Sequence, residues 1–192
     1  MTVKSFKIRL VERKEVRNFI EKWHYSRNIN GLKVSYCFGL YDNNKLIGAM
    51  IYGKPAMNNQ ASKYNKSNPN KVLELRRLCC IDNTPKNTES YFIGKTLKWL
   101  DKNTDIETII SYADMTYGHK GIIYKATNFK QVGMCPPGKV IVYEGRNYHD
   151  KTIRTKYKGK LKPFAKKIKD ALDLGEAYYT KTKSKYIYLY EL

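Results

Sequence analysis

The sequence predicts a mixed α/β fold, a sheet with helices on both of its faces, and three observations carry that expectation. Segments with strand-like alternation give way repeatedly to segments whose apolar residues recur every three to four positions. Thr108 to Ala113 is a near-continuous apolar run, the pattern of a strand covered on both sides. Apolar residues make up 42% of the 192 residues, enough to bury a full core without disulfide or metal staples, so a single domain over 1–192 is expected.

Phe6 to Val11 alternates and reads as the first strand. Glu12 to Trp23 sets Val16, Phe19, Ile20 and Trp23 at helical spacing, giving one apolar face. This helix ends near His24-Tyr25-Ser26, before the polar turn from Arg27 to Gly31. Val34 to Tyr41 and Leu46 to Tyr52 are strands, joined by the turn-forming run Asp42-Asn43-Asn44-Lys45. Pro55 to Asn70, rich in Asn, Ser and Lys, reads as a long loop. Val72 to Ile81 is the next strand. A helix from Ser90 to Lys102 follows, with Ile93, Leu97 and Leu100 as core stripe, Phe92 and Trp99 beside it, and Asn87 or Thr88 as N-cap. After Thr108 to Ala113 come a polar turn, a short helix and a strand opened by Phe129. Pro163 to Leu174 is a helix with Phe164, Ile168 and Leu172 inward, and Tyr186 to Tyr190 is a last strand.

Charge is the second strong signal. With 37 basic against 17 acidic side chains the formal charge is +20, a field that attracts polyanions. No basic amphipathic helix with a broad apolar face appears, so nucleic acid is favoured over membrane. From Lys139 to Lys169 eleven basic residues face only Glu144 and Asp150, which marks 139–192 as a basic C-terminal segment. Arg154, Lys156, Lys158, Lys160 and Lys162 recur at every second position and would share one face if extended. They are the expected nucleic-acid contacts. Cys37, Cys79, Cys80 and Cys135 lack zinc-type spacing and read as buried free thiols of an intracellular protein.

The segment Tyr124-Lys125-Ala126-Thr127-Asn128-Phe129-Lys130-Gln131-Val132-Gly133 resembles the late helix-to-strand motif of the GNAT N-acetyltransferases. The resemblance implies an acyltransferase fold with a splayed central sheet, the strands before and after this motif parting to hold a thioester cofactor. Asp114, His119 and Tyr124 would lie near the splayed end. In that superfamily a loop after the fourth strand wraps the cofactor pyrophosphate at a helix N-terminus. The implied cofactor contacts are Cys80, Lys86, Asn87, Thr88 and Ser90, with Asn128 where the superfamily carries Gly. The glycine pattern of that loop is absent. Pro85-Lys86-Asn87-Thr88-Glu89-Ser90 stands in its place and Gly first returns at Gly94, which keeps an anion site but departs from the ordinary seat for coenzyme A.

A narrower resemblance covers roughly His24 to Gly133. Trp23-His24-Tyr25-Ser26, Glu74-Leu75-Arg76-Arg77-Leu78, the Pro85–Ser90 run, Ser111-Tyr112-Ala113-Asp114 and Gly118-His119-Lys120-Gly121 through Ala126 are similar in order and spacing to the bacteriophage Mom family. That resemblance implies an enzyme that adds a carbamoylmethyl group to N6 of adenine in double-stranded DNA, blocking restriction in the cytoplasm of an infected bacterium. The implied donor is acetyl-CoA or another activated two-carbon or glycine-derived unit. The implied catalytic residues are His24, Tyr25, Arg76, Asp114 and Tyr124. His24, His119 and Asp114 would make a two-histidine, one-carboxylate iron site.

Each of these residues also has a plain structural role. His24 can end a helix against its dipole, Asp114 can cap the next helix, and Tyr124 can pack as an amphipathic aromatic. Adjacent strand residues face opposite ways, so only one of Arg76 and Arg77 is expected in a cleft, and Arg76 is the choice. Tyr25, Tyr36, Tyr117 and Tyr124 are the candidates to stack on a flipped base, and His149-Asp150 reads as a phosphate or structural contact. Two other functions stay open at this level: an N-acyltransferase acting on a protein, an aminoacyl group or RNA, and a nucleic-acid-binding protein without catalysis.

Overall fold

The computed structural model describes residues 2–192. The strands are β1 (Lys7–Val11), β2 (Val34–Asp42), β3 (Lys45–Gly53), β4 (Val72–Cys80), β5 (Thr108–Asp114), β6 (Lys130–Cys135), β7 (Lys139–Tyr143), β8 (Arg146–His149), β9 (Lys156–Tyr157), β10 (Lys160–Leu161), β11 (Tyr178–Lys181) and β12 (Lys185–Glu191). The helices are α1 (Arg13–Trp23), α2 (Asn58–Tyr64), α3 (Thr88–Asn103), α4 (Ile122–Lys125) and α5 (Pro163–Asp173).

Seven strands form the main sheet in the order β1-β2-β3-β4-β5-β12-β6. β1 to β4 run antiparallel, and β4 pairs with β5 in parallel. The hairpin between β2 and β3 closes where Asp42 pairs with Lys45, leaving Asn43 in the left-handed region at φ 52°, a conformation that Asn tolerates better than most side chains. α1 starts with a reciprocal capping box between Glu12 and Glu15. It buries Val16 and Ile20 against Cys37, Ala49 and Ile51 on one face of the sheet. α3 covers the other face, setting Phe92, Ile93, Leu97 and Leu100 against Phe38, Leu40, Met50, Tyr52, Leu73 and Leu75. Each fully buried aliphatic of these stripes contributes about 1.5–3 kcal/mol. The expected mixed α/β class, with helices on both sides, is borne out.

The chain divides into two compact units: one made of the chain up to Ala113, His119–Gly133 and Tyr186–Leu192, the other of Asp114–Gly118 and Met134–Lys185. The second unit has its own antiparallel sheet in the order β11-β7-β8 and its own small core, in which Ile141 meets Ile168, Ala171 and Ala177.

Several expectations need correction. Pro55–Asn70 is not a bare loop: it holds α2 and leads into a 3-10 turn at Pro69–Lys71. In α5 the inward residues are Ala165, Ile168 and Ala171, while Phe164 is half exposed. The strand opened by Phe129 is not a neighbour of β5, because β12 from the end of the chain inserts between them. The splay lies instead between β4 and β5, whose pairing stops at Glu74 and Ile110. The basic run is not one extended face. Arg154 ends a 3-10 turn, β9 and β10 form a hairpin about Lys158 and Gly159, and Lys162 caps α5. Reversal of the chain pairs Lys160 with Tyr157 and Lys156 with Leu161, so Lys156 and Lys160 face opposite ways.

Candidate active site

The chemistry-bearing side chains of the first unit gather where β4 leaves β5. A β-bulge prepares this point. Ile51 pairs with Arg77 and Tyr52 with Leu75, leaving Arg76 as the extra residue on β4. Leu75 and Leu78, three apart, therefore pack in the same layer beneath α3, which strict alternation forbids. Arg77 shares the α1 face with its partner Ile51, and Arg76 turns back to Glu74 with Nη1 2.7 Å from Oε2. The expectation that Arg76 alone serves the site fails for this reason. Arg77 is the arginine that joins His24 and Tyr25, its guanidinium acting electrostatically on both.

His24 is the C-cap of α1, its backbone N–H donating to Ile20 O at 2.9 Å. The side chain is only 5% exposed. Burial, then the positive Arg77 and the neighbouring His119, push its pKa down to about 3. That shift favours the neutral imidazole over a charged partner for the helix dipole near neutral pH. The Ser26 backbone N–H donates to His24 Nδ1 at 3.0 Å, and Ser26 Oγ stands 2.8 Å from the same nitrogen. Because that backbone group can only donate, Nδ1 is the acceptor and the single ring proton belongs on Nε2. Tyr25 lies against the imidazole with ring centroids 4.1 Å apart and meets His119 edge-on at 5.2 Å. Its ring remains 44% exposed.

Glu74 is the carboxylate of this cluster, and sequence reasoning passed over it. Burial raises its pKa, with the charge and hydrogen bond of Arg76 only partly offsetting that rise. The available signal was a lone acid between two leucines, followed by two arginines in the same strand. Arg76 Nε is buried with no hydrogen-bond partner, a donor left waiting for an acceptor. Tyr124 packs in the core against Phe129 and Tyr188, at 5.5 and 5.1 Å between centroids. Burial raises its pKa, and Ser111 is its polar neighbour.

Other expected residues behave differently. Tyr36 packs edge-on against Trp99 at 5.7 Å rather than offering a stacking surface. Asp114, in the second unit, caps the turn that follows it by accepting from Thr116 N at 3.0 Å, and its Oδ2 lies 2.7 Å from Lys185 Nζ. Burial works to raise its pKa, but the hydrogen bonds from Lys185 and Thr116 outweigh that, so the carboxyl lies below the usual range. Such a carboxylate is a weak base. The iron set His24, His119 and Asp114 does not assemble: among the described residues no three His, Cys, Asp or Glu side chains gather so as to hold a metal. His24 Nδ1 and the Asp114 carboxylate already have protein partners.

At the start of α3, Asn87 sits in the left-handed region and gives no side-chain cap. Thr88 is fully buried and donates to Pro85 O at 2.6 Å, and Ser90 donates to Asn87 O at 3.0 Å. Lys86 precedes this start, and Cys80 closes β4 with its thiol pKa pushed up by burial. Asn128 follows α4 at φ 64°, so its contribution is a left-handed backbone bend of the kind glycine adopts most easily. All four cysteines are free. Burial raises Cys37 to about 11 and Cys79 to about 12, as inert thiols should be. In the second unit Arg154 is paired with Asp150 at 3.2 Å. His149 Nδ1 lies 2.6 Å from Asp150 and accepts from Lys151 N, a structural contact. No helix among the described residues is long and apolar enough to cross a membrane.

Comparison with known proteins gives the following. The model of the Mom protein family matches residues 5–192. The methylcarbamoylase Mom of Escherichia phage Mu is 28% identical over 146 residues, 74% of this chain and 59% of that protein. The chain thus spans somewhat under two thirds of that relative's length. Among solved structures, a GNAT family acetyltransferase from Elizabethkingia anophelis with acetyl-CoA bound aligns at TM-score 0.51 and 8% identity, covering 98% of this chain and 99% of that one. The spermidine/spermine N-acetyltransferase of Vibrio cholerae aligns at TM-score 0.55 and 10% identity, covering 98% and 94%. At such identities the likeness establishes the fold, and the fold is that of the GNAT acetyltransferases.

Proposed function

The chain belongs to the Mom protein family, and from that membership we propose that it is a transferase that modifies DNA, placing a carbamoylmethyl or other acyl-derived group on N6 of adenine. The observation that carries the reading is the cluster at the β4 bulge, where a neutral buried imidazole and a half-buried guanidinium adjoin an exposed phenol ring. The phage Mu relative is named a methylcarbamoylase, and a fold neighbour holds acetyl-CoA. An acyl-CoA or similar activated donor suits the parting of β4 and β5 and the uncapped start of α3. Cys80, Lys86, Asn87, Thr88, Ser90 and the bend at Asn128 would hold it. When bound, such a donor supplies an activated carbon.

The adenine amine is a poor nucleophile, and its base must leave the stack before it can react. We assign Tyr25 to stacking on the extruded base and His24, through its Nε2 proton, to donating a hydrogen bond in the site. Arg77 holds positive charge beside them, and Arg76 Nε donates to a bound acceptor. As the new C–N bond forms, the bond between the transferred carbon and its carrier would break and the carrier would leave with that electron pair; the amine proton lost in the step is assigned to Glu74, whose raised pKa makes it the stronger base. Tyr124 is assigned to packing beneath the site, and Asp114 to orienting the turn after β5. Arg154, Lys156, Lys158, Lys160 and Lys162 are assigned to phosphates of the duplex.

The reading is tested by mass spectrometry of nucleosides from plasmid DNA of cells expressing the chain. Modified deoxyadenosine is expected; unmodified DNA from verified, folded protein refutes it, and product on peptides or tRNA alone would replace DNA as acceptor. Glu74→Gln keeps an acceptor for Arg76 and should lower the rate about a hundredfold. Asp114→Asn should cost far less, about tenfold at most. Single-turnover rates alongside melting curves separate the two, and the opposite ranking would return the base role to Asp114.

A further inference from the structure

The β9–β10 hairpin of the second unit carries exposed aromatic and basic side chains that its small core does not use. Lys158 and Gly159 both have positive φ, 47° and 78°, the sense of the mirror-image turns that close tight hairpins. Lys158 thereby occupies a left-handed conformation that costs a non-glycine side chain free energy. The strained turn carries Tyr157, 65% exposed, and Phe164 at the start of α5 is 50% exposed. Between them lies an open recess of about 620 Å³ lined by Tyr157, Lys158, Lys160, Leu161, Lys162 and Pro163.

Density of charge marks this surface. Among the described residues Lys156, Lys158, Lys160 and Lys162, four cations in seven positions, stand in no ion pair. Four unpaired cations within seven residues repel one another at close range. A chain of phosphates relieves that repulsion, and an exposed ring among the lysines adds a contact that salt does not screen.

We propose that this hairpin, with the first turn of α5, docks the phosphate backbone of duplex DNA, and that Tyr157 is its non-electrostatic contact. The proposal rests on the DNA-modifying reading for its choice of polyanion. Because the chain reverses, phosphates are taken on both faces of the hairpin, Lys160 beside Tyr157 and Lys156 beside Leu161. That favours insertion into a groove over lying flat along one strand.

Anisotropy of a short labelled duplex, titrated with full-length protein across a salt series and without donor, tests it. Changing Lys156, Lys158 and Lys160 together to Gln should flatten the slope of log K against log salt by about 2–3 units and weaken binding roughly a hundredfold. The same three charges removed elsewhere, as Lys4→Gln, Lys7→Gln and Lys45→Gln, should leave the slope within about one unit of the parent. Tyr157→Ala should weaken binding about tenfold at unchanged slope. Equal losses in both triple variants, or none in the hairpin variant, overturn the assignment. Adenine modification measured in parallel keeps the two readings apart. Modified DNA with a dispensable hairpin sinks only the docking surface, and hairpin-dependent binding with no modified base sinks only the enzyme.

Discussion

His24→Asn should reduce adenine modification by at least about a hundredfold while leaving the chain folded, because the substitution keeps one function of the imidazole and deletes the other. The Asn carbonyl can still accept the Ser26 N–H that now reaches Nδ1 at 3.0 Å, but nothing replaces the Nε2–H donor. Loss of one preorganised donor from a water-poor site costs about 10²–10³ in rate. Two further measurements are independent of activity. With a folded pKa near 3 against 6.5 for a free imidazole, the unfolded chain binds the proton more readily between those values, so stability rises with pH across that window. Wild-type protein should therefore lose about 2 kcal/mol between pH 8 and pH 5 from this residue, and His24→Asn should not. Nitrogen-15 NMR has only His24, His119 and His149 to assign. His24 should keep its proton on Nε2 throughout that range. An imidazole titrating near its ordinary pKa would remove both the donor role and the stability term.

The largest loss of stability is expected from Gly121→Ala, with Gly118→Ala as its internal control. Both glycines have nearly the same backbone, at φ 72° and 76°, so the left-handed penalty of about 1–2 kcal/mol applies to each. Only their surroundings differ. A Cβ on Gly121 would stand 2.2–2.3 Å from the hydroxyl and ring carbons of Tyr188. That side chain is fully buried, with its hydroxyl donating to Lys120 O at 3.2 Å. At Gly118 nothing lies within 4 Å. Overpacking adds about 1–3 kcal/mol, so denaturant unfolding should show a loss of about 4 kcal/mol for Gly121→Ala and about 1 for Gly118→Ala. Gly121 also starts α4, the turn that carries Tyr124, so activity should fall with it. Equal losses at the two positions would mean that Tyr188 yields without cost.

Local signals in the chain already determined a good deal. Apolar spacing located α1 and α3 and most of their inward residues, though Trp23 of the expected α1 face is exposed; turn chemistry located the β2–β3 hairpin, and the motif at Tyr124–Gly133 identified the GNAT fold. These succeed because periodicity, caps and turns are properties of a few adjacent residues. His24 and Tyr25 were legible too, since one helix end presents both. Polar α2 escaped because no apolar stripe marks it, and the small sheet of the second unit because its strands are short and β11 lies far along the chain from β7.

What the tertiary structure alone decided are matters of pairing between distant segments. A single extra residue at Arg76 reverses which arginine meets His24, and nothing within the run Leu75–Leu78 announces it, because a bulge is defined by the partner strand. The insertion of β12 between β5 and β6 moves the splay to β4 and β5 for the same reason. Glu74 and Asp114 look alike as isolated acids; burial raises one pKa, while Lys185 and Thr116 lower the other. The alternating lysines held the charge of the proposed DNA-docking surface in their sequence, but its shape waited on the turn at Lys158-Gly159. Residue types thus set what chemistry was available, and long-range pairing and burial set which groups meet and in which protonation state.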